Sequence, residues 1–163
     1  MASDTRQAGI VFSLLDRLID LQPELQKEVP LSYWEQEREF KASLCRDLSA
    51  VLNTRRAQQD FDPEYQESTN SLLSFGITDF TSYNLKNAVD QEEVRRSIER
   101  AIRHFEPRLA QVEASVEEPD PLKPVLQFQI SAVMRMERGP EPVVFDLALQ
   151  HESRRIAVAG RNG

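Results

Sequence analysis

The hydrophobic pattern of this chain changes its period at residues 104–109, and this change constrains the fold more than any other feature. Before it, apolar residues recur every three to four positions, as on one face of a helix. After it, apolar and polar residues alternate, as in a strand with one buried face. Pro107 disfavours helical geometry at Glu106, so the last helix should end near Phe105. The sequence therefore predicts helices first and strands afterwards.

Two helical segments are expected in the first third of the chain. Residues 9–21 form a short amphipathic pattern, and a longer pattern runs from about Tyr33 to Ala57. Arg55 and Arg56 would lie in the last turns of the longer helix, where cations suit the helix dipole. The apolar residues that define the two faces are Ile10, Leu14, Leu15 and Leu18 in the first segment, and Phe40, Leu44, Leu48, Val51 and Leu52 in the second.

Two further helices are expected before the change of period. A short one within residues 61–80 should end near Phe75, with Gly76 as the left-handed residue that follows a helix. The other should start at a capping box formed by Asp90 and Glu93. Its core-facing residues would be Val94, Ile98, Ala101, Ile102 and Phe105.

The second part of the chain carries strand patterns. Residues 108–118 alternate, with Ala110, Val112, Ala114 and Val116 on the apolar side. Residues 125–137 give the clearest strand, with apolar face Leu126, Phe128, Ile130, Ala132, Met134 and Met136. The segment 138–141 can close a hairpin into a third strand, whose apolar face is Val143, Phe145, Leu147 and Leu149.

These patterns predict an α+β fold, with N-terminal helices packed on one face of a small, mainly antiparallel sheet of three or four strands. We expect a single domain over residues 1–163. Its expected parts are a flexible N-terminus over 1–8, a helical part over 9–106, a sheet over 107–150, and a short strand or tail over 151–163.

Charge and composition exclude several classes of function. The net charge of -7 makes nucleic acid a poor partner. The single Cys45 allows no intramolecular disulfide and no zinc or redox motif. The N-terminus lacks a basic region before its apolar run, which predicts no signal peptide, and nothing approaches a membrane span of ~20 apolar residues. We expect a soluble cytosolic protein.

Few groups point to catalysis. His104 and His151 are the only histidines, and with five glycines a phosphate-binding loop is nearly excluded. No catalytic, cofactor-binding or metal-binding residue is therefore expected. Glu106 with Asp16 or Asp47 could form the acid pair of a glycosidase, which would require one carboxyl with a raised pKa at a fixed distance from the other.

The most unusual local motif is Glu106-Pro107-Arg108. In extended chain the two charged side chains point the same way, so the pair could bind a complementary pair on a partner. Alternatively the motif is an internal corner, in which Arg108 pairs with Asp47 or Asp16 and Glu106 pairs with a helix arginine. Spacing alone favours the internal corner.

An ordered set of segments carries a family resemblance. It consists of SLLDRL (13–18), RDLSAVLNTRR (46–56), SLLSFGITDF (71–80), IERAIRHFEPRL (98–109) and FDLAL (145–149). In this order the segments resemble the TssE family, the baseplate wedge subunits of bacterial type VI secretion systems. These belong to the phage baseplate sheath-initiator family, which was formerly labelled "lysozyme-like". The resemblance covers roughly residues 9–150.

The resemblance implies a structural role on the cytoplasmic side of the inner membrane, without cofactor, nucleic acid, small-molecule substrate or membrane insertion. The implied partners are the wedge proteins TssF and TssG and the sheath proteins TssB and TssC, whose strands would add to the sheet. The motif Glu106, Pro107 and Arg108 would dock to the wedge core, and Val144 would lie at the receiving edge if the third strand is outermost. The alternative hypothesis is a cell-wall glycosidase.

Overall fold

The computed structural model describes residues 13–19, 24, 31–56, 71–84, 86–117, 125–136, 139–150 and 153–161. Within these residues, three α-helices precede four strands. The elements are α1 (Leu14–Leu18), α2 (Tyr33–Asn53), a 3-10 turn (Leu72–Ser74), α3 (Ala88–Phe105), β1 (Leu109–Val116), β2 (Val125–Met136), β3 (Gly139–Gln150) and β4 (Ile156–Arg161). The predicted α+β order is confirmed, and the segment that could have been a strand or a tail contains the strand β4.

The four strands form one antiparallel sheet in the order β1-β2-β3-β4. The hairpin of β2 and β3 pairs along its whole length, from Val125 with Gln150 to Met136 with Gly139. One face of the sheet is covered by the two long helices, because α2 contacts β4 and α3 contacts β1. Burying this one face lets the other carry polar residues, as the alternating pattern requires.

The core lies between the helices and the inner face of the sheet. The predicted faces of β2 and β3 are confirmed, except that Met136 is only half-buried. The fully or almost fully buried residues of the two strands are Leu126, Phe128, Ile130, Ala132, Met134, Val143, Phe145, Leu147 and Leu149. The helices contribute Phe40, Leu44, Leu48, Val51, Leu52, Val94, Ile98, Ala101 and Ile102.

The predicted face of β1 is wrong at its first residue. Ala110 is half-buried, whereas Leu109 is buried. A β-bulge explains the difference: the register advances three residues on β1 between Ala110 and Glu113 but two on β2, and Gln111 has a φ of 50°. The extra residue moves Leu109 onto the same face as Val112.

The first two helices are shorter than predicted. In α1, Leu15 and Leu18 are 54% and 72% exposed, so the expected apolar face does not bury them; the side chains of Ile10 and Leu14 lie outside the described part. Helix α2 ends at Asn53 rather than Ala57, because the chain becomes extended at Thr54. Arg55 and Arg56 therefore lie beyond the helix and not in its last turns.

The segment after α2 pairs with the segment that precedes α3. Arg55 forms a parallel bridge with Ile77, closed by hydrogen bonds from Arg56 N to Ile77 O and from Ile77 N to Thr54 O. Gly76 has the expected positive φ, 103°, and a Cβ at this position would lie 2.3 Å from the carbonyl oxygen of Thr54. Of the third helix, the described residues include only the 3-10 turn, which ends before Phe75 as predicted.

The predicted capping box of the last helix is also wrong. Asn87 caps the helix, its side chain accepting a hydrogen bond from Val89 N. Asp90 already lies inside the helix, where its carboxylate accepts from Asn84 N. The other end agrees with the prediction: α3 ends at Phe105, and Glu106 N donates to Ile102 O.

The sheet order corrects the position of Val144. β3 pairs with β2 on one side and with β4 on the other, and Val144 is opposite Ser131 and Arg161. Val144 therefore does not lie on an outermost strand, and the edges of the sheet are β1 and β4. Among the described residues, none of the helices is both long and apolar enough to cross a bilayer.

Candidate functional site: the Glu106–Arg108 corner and the two sheet edges

The corner between α3 and β1 holds the Glu106-Pro107-Arg108 motif. Pro107 cannot donate a backbone hydrogen bond, and the chain turns there, with Leu109 N donating to Glu106 O. Arg108 O then accepts from Arg135 N on the neighbouring strand. Glu106 is 4% exposed, whereas Pro107 is exposed.

The guanidinium of Arg108 lies within an ion network. Its Nε and Nη2 donate to the two carboxylate oxygens of Glu106 at 2.6 and 2.5 Å, and Nη2 also donates to Asp47 at 2.6 Å. Nη1 donates to the hydroxyl of Ser43 at 3.0 Å. Burial lowers the pKa of Arg108, but these carboxylates raise it above its ordinary value overall. Arg108 therefore pairs with Asp47, as the corner hypothesis allowed, whereas Glu106 pairs with Arg108 and not with a helix arginine.

Asp16 joins the short helix α1 to the same network. It accepts hydrogen bonds from Ser13 at 2.6 Å, Ser43 at 2.9 Å and Arg46 at 2.6 Å, and lies 3.8 Å from Arg108 Nη1. Burial raises the pKa of Asp16, but the hydrogen bonds from Ser13, Arg46 and Ser43 lower it to about 2. The network thus links α1, α2 and the corner.

The network does not have the properties of a glycosidase acid pair. Such a pair needs one carboxyl whose pKa is raised, so that it is protonated when it acts. Asp16 has a lowered pKa, and Glu106 and Asp47 are both bonded to Arg108. Within the described ranges, no group of three or more His, Cys, Asp and Glu side chains is placed to hold a metal ion.

The outer edge of β1 is covered by side chains of α3. Arg103 donates to Val112 O with Nε at 3.0 Å and Nη2 at 2.6 Å. Arg95 donates to Ala114 O at 3.0 Å, and Ala114 N donates to Glu99 at 3.3 Å. An incoming strand would have to compete with these side chains for the main-chain groups of β1.

The outer edge of β4 is covered at its first residue. Asn53 accepts from Ile156 N and donates to Ile156 O, both at 2.9 Å. Because outward and inward groups alternate along an antiparallel edge strand, Val158 and Gly160 have their main-chain groups on the same side as Ile156.

Beyond Ile156, a side chain of α2 contacts an outward main-chain group of this edge. Gly160 N donates to the sulfur of Cys45; burial raises the pKa of this thiol, and the hydrogen bond opposes that effect. No other hydrogen bond to the outward groups of Val158 and Gly160 is found among the described residues. The second half of β4 is therefore the more open edge of the sheet.

A comparison with protein-family models matches residues 38–139 to the family described as baseplate wedge protein gp25. The chain belongs to this family. The matched region contains most of α2 and all of α3, β1 and β2, and it includes Glu106, Pro107 and Arg108. The family resemblance seen in the sequence is thereby confirmed, because the TssE proteins belong to the gp25 family. No curated protein matches the chain.

Membership in the gp25 family supports a structural role in a baseplate, where proteins assemble with one another. The gp25 family is a baseplate structural family, and membership in it is consistent with a non-enzymatic role. Of the four residues singled out from the sequence, the structure brings Glu106 and Arg108 into direct contact at the corner beside Pro107. Val144 lies apart from them in the interior strand β3.

Proposed function

We propose that this protein is the wedge subunit of a type VI secretion baseplate that starts polymerisation of the contractile sheath. It would bind TssF and TssG in the wedge, at the cytoplasmic side of the inner membrane, and receive strands of TssB/TssC on its sheet. Membership in the gp25 family supports the baseplate part of this proposal.

One observation carries the sheath part of the proposal: the two edges of the sheet differ. Strand addition depends on main-chain hydrogen bonds from an exposed edge. On β1 the carbonyl of Val112 and both outward groups of Ala114 are bonded to α3, whereas on β4 the outward groups of Val158 have no such partner among the described residues. We therefore assign the receiving edge to β4 and not to the strand that contains Val144.

The wedge part of the proposal concerns the corner. Because Arg108 is already bonded to Glu106 and Asp47, it has little remaining capacity to grip a partner carboxylate in bidentate fashion. We propose that Glu106 and Arg108 fix the shape of the corner, and that the exposed Pro107 and the outer edge of the Arg108 side chain contact TssF–TssG.

Replacing Val158 with proline tests the receiving edge. Proline removes the outward N–H of Val158 and leaves the hydrogen bonds of its neighbours to β3 intact. Val158→Ala is the matched control, because it trims the same half-buried side chain but keeps the N–H. The assay counts fluorescent TssB/TssC sheaths in cells and measures co-purification with TssF–TssG.

We expect Val158→Pro to prevent sheath growth while wedge binding remains, and Val158→Ala to support both. Normal sheath numbers with a folded Val158→Pro variant would refute β4 as the receiving edge. Equal loss in the alanine variant would show that the side chain, and not main-chain pairing, matters at this position.

A further inference from the structure

A groove of about 340 Å³ lies between α3 and the segment that carries Gly76, away from the ion network and from β4. Arg100 and His104, one helical turn apart on α3, line one side. Arg56, which follows α2, lines the other. No Asp or Glu is among the described residues that line the groove, although the whole chain has a net charge of -7.

Arg100 differs from the other arginines of α3. Arg95, Arg96 and Arg103 all form salt bridges with Glu92 or Glu99 on the same helix. Arg100 forms no ion pair within the part of the chain that the structure describes. Its charge is therefore not neutralised by the helix that carries it.

Arg56 differs from its neighbour Arg55 in the same way. Arg55 donates to Leu52 O and Arg154 O and lies 4.2 Å from the ring centre of Phe80. Only the backbone N–H of Arg56 has a hydrogen bond among the described residues, to Ile77 O, and its side chain has no ion pair there. Two arginines from different elements, neither with an ion pair among the described residues, thus face one groove.

The groove also has an apolar side. Phe105 lines it and packs edge-to-face on Phe75, with ring centres 5.0 Å apart. The 3-10 turn that supplies Ser74 to the groove also carries Leu72 and Leu73, which are 87% and 54% exposed. Cations beside exposed leucines suit an occupant that has both carboxylates and apolar side chains.

Helix electrostatics alone do not explain this arrangement. The dipole of α3 favours cations in its last turn, which accounts for His104. It does not account for Arg56, which belongs to another segment, or for the exclusion of acidic side chains from the lining. A long polyanion such as nucleic acid would be repelled by the net negative charge of the chain.

We propose that this groove binds a short acidic segment of a partner protein, with carboxylates held by Arg56 and Arg100 and an apolar side chain against the Leu72–Leu73 turn. This surface is additional to the corner and to the β4 edge, and it shares no residue with either. Because each arginine would form a charge-assisted hydrogen bond, removing one should weaken binding about five- to tenfold.

The test uses the purified chain and a defined probe. The probe is a fluorescein-labelled peptide in which pairs of glutamates flank two leucines, and the matched peptide carries glutamines in place of the glutamates. Binding is followed by fluorescence anisotropy at low and at physiological ionic strength. The groove variants are Arg56→Gln and Arg100→Gln. The control variants are Arg38→Gln and Arg96→Gln, which remove the same charge from exposed arginines that do not line the groove.

We expect the glutamate peptide to bind more tightly than the glutamine peptide. Of the four variants, only the two groove variants should bind the glutamate peptide more weakly than the wild type. Failure of the glutamate peptide to bind at low ionic strength, or equal loss in the controls, would overturn the proposal. A lower melting temperature of both groove variants without peptide would also overturn the proposal, because the arginines would then be bonded to carboxylates of the chain itself. Equally tight, groove-dependent binding of a single-stranded oligonucleotide would also overturn it. No baseplate protein is needed, so this outcome is independent of the sheath experiment.

Discussion

Removing the guanidinium of Arg108 should destabilise the fold substantially. In Arg108→Ala the carboxylate of Glu106, whose side chain is 5% exposed, loses the two hydrogen bonds donated by the guanidinium of Arg108, and Asp47 loses one. Leaving a buried charge without its partner typically costs ~3–5 kcal/mol. Because Arg108 is itself 17% exposed and water can approach, we expect the lower part of that range, about 3 kcal/mol.

The measurement is thermal or urea unfolding of the purified chain. For a domain of this size, about 3 kcal/mol corresponds to a fall of roughly 6–12 °C in melting temperature. The double variant Glu106→Gln with Arg108→Met removes both charges and should recover most of the loss. Arg96→Ala is the surface control, since its side chain is 69% exposed, and it should change stability by less than about 0.5 kcal/mol.

A stability change below about 0.5 kcal/mol in Arg108→Ala would refute this reasoning. It would mean that the network contributes nothing to folding and that Arg108 is available to a partner. The same variant then decides the role of the motif, because weakened co-purification with TssF–TssG in a fully stable variant would indicate direct docking by Arg108. The docking role implied by the family resemblance predicts that Arg108→Ala leaves the fold intact; the contacts to Glu106 and Asp47 reverse that expectation.

Two further predictions concern Asp16, in the ion network, and Gly76, beside the end of α2. The pKa of Asp16 is lowered to about 2, so its contribution of about 1–2 kcal/mol is present above about pH 4 and is lost as the pH falls to about 2. Asp16→Asn should therefore lose stability at pH 6 and be closer to the wild type at pH 2 in urea unfolding; equal losses at both values would contradict this. Gly76→Ala should cost about 2 kcal/mol or more, because its Cβ would meet Thr54 O at 2.3 Å at a φ of 103°. A melting temperature equal to that of the wild type would show that the Arg55–Ile77 bridge tolerates a shift there.

The sequence predicted the features that depend on local pattern. The alternation in β2 and β3 identified their buried faces, because the two strands pair without a bulge and every second residue therefore stays on the core side. The end of α3 at Phe105 followed from Pro107, which restricts the residue before it. Gly76 was correctly placed at positive φ for the same kind of reason, a local steric one.

Features that depend on tertiary contacts could not be predicted in the same way. The end of α2 at Asn53 is set by the bridge between Arg55 and Ile77, two segments that are distant in sequence. The start of α3 was misplaced because Asn87 and Asp90 are both good capping residues, and their spacing does not show which one caps.

The candidate site shows the same limit. Spacing named Asp47 and Asp16 as possible partners of Arg108, and both lie in its network. It did not show that Glu106 pairs with Arg108 itself, nor that Arg103 and Glu99 cover β1. The four-residue spacing of Glu99 and Arg103 is typical of a salt bridge on a helix surface, but it does not show that both side chains reach backbone groups of the neighbouring strand.

The difference between the two edges has a consequence for assembly. A sheet with two open edges can add strands in both directions, and like any unprotected sheet it invites edge-to-edge aggregation. Here side chains of α3 are bonded to the carbonyl of Val112 and to both outward groups of Ala114, and Asn53 is bonded to those of Ile156. If strands add to this sheet as we propose, addition is restricted to one edge, and there to the half of β4 that begins at Val158. Growth of the sheath would then have one direction from the first subunit, because main-chain groups of the opposite edge, on β1, are bonded to side chains of α3.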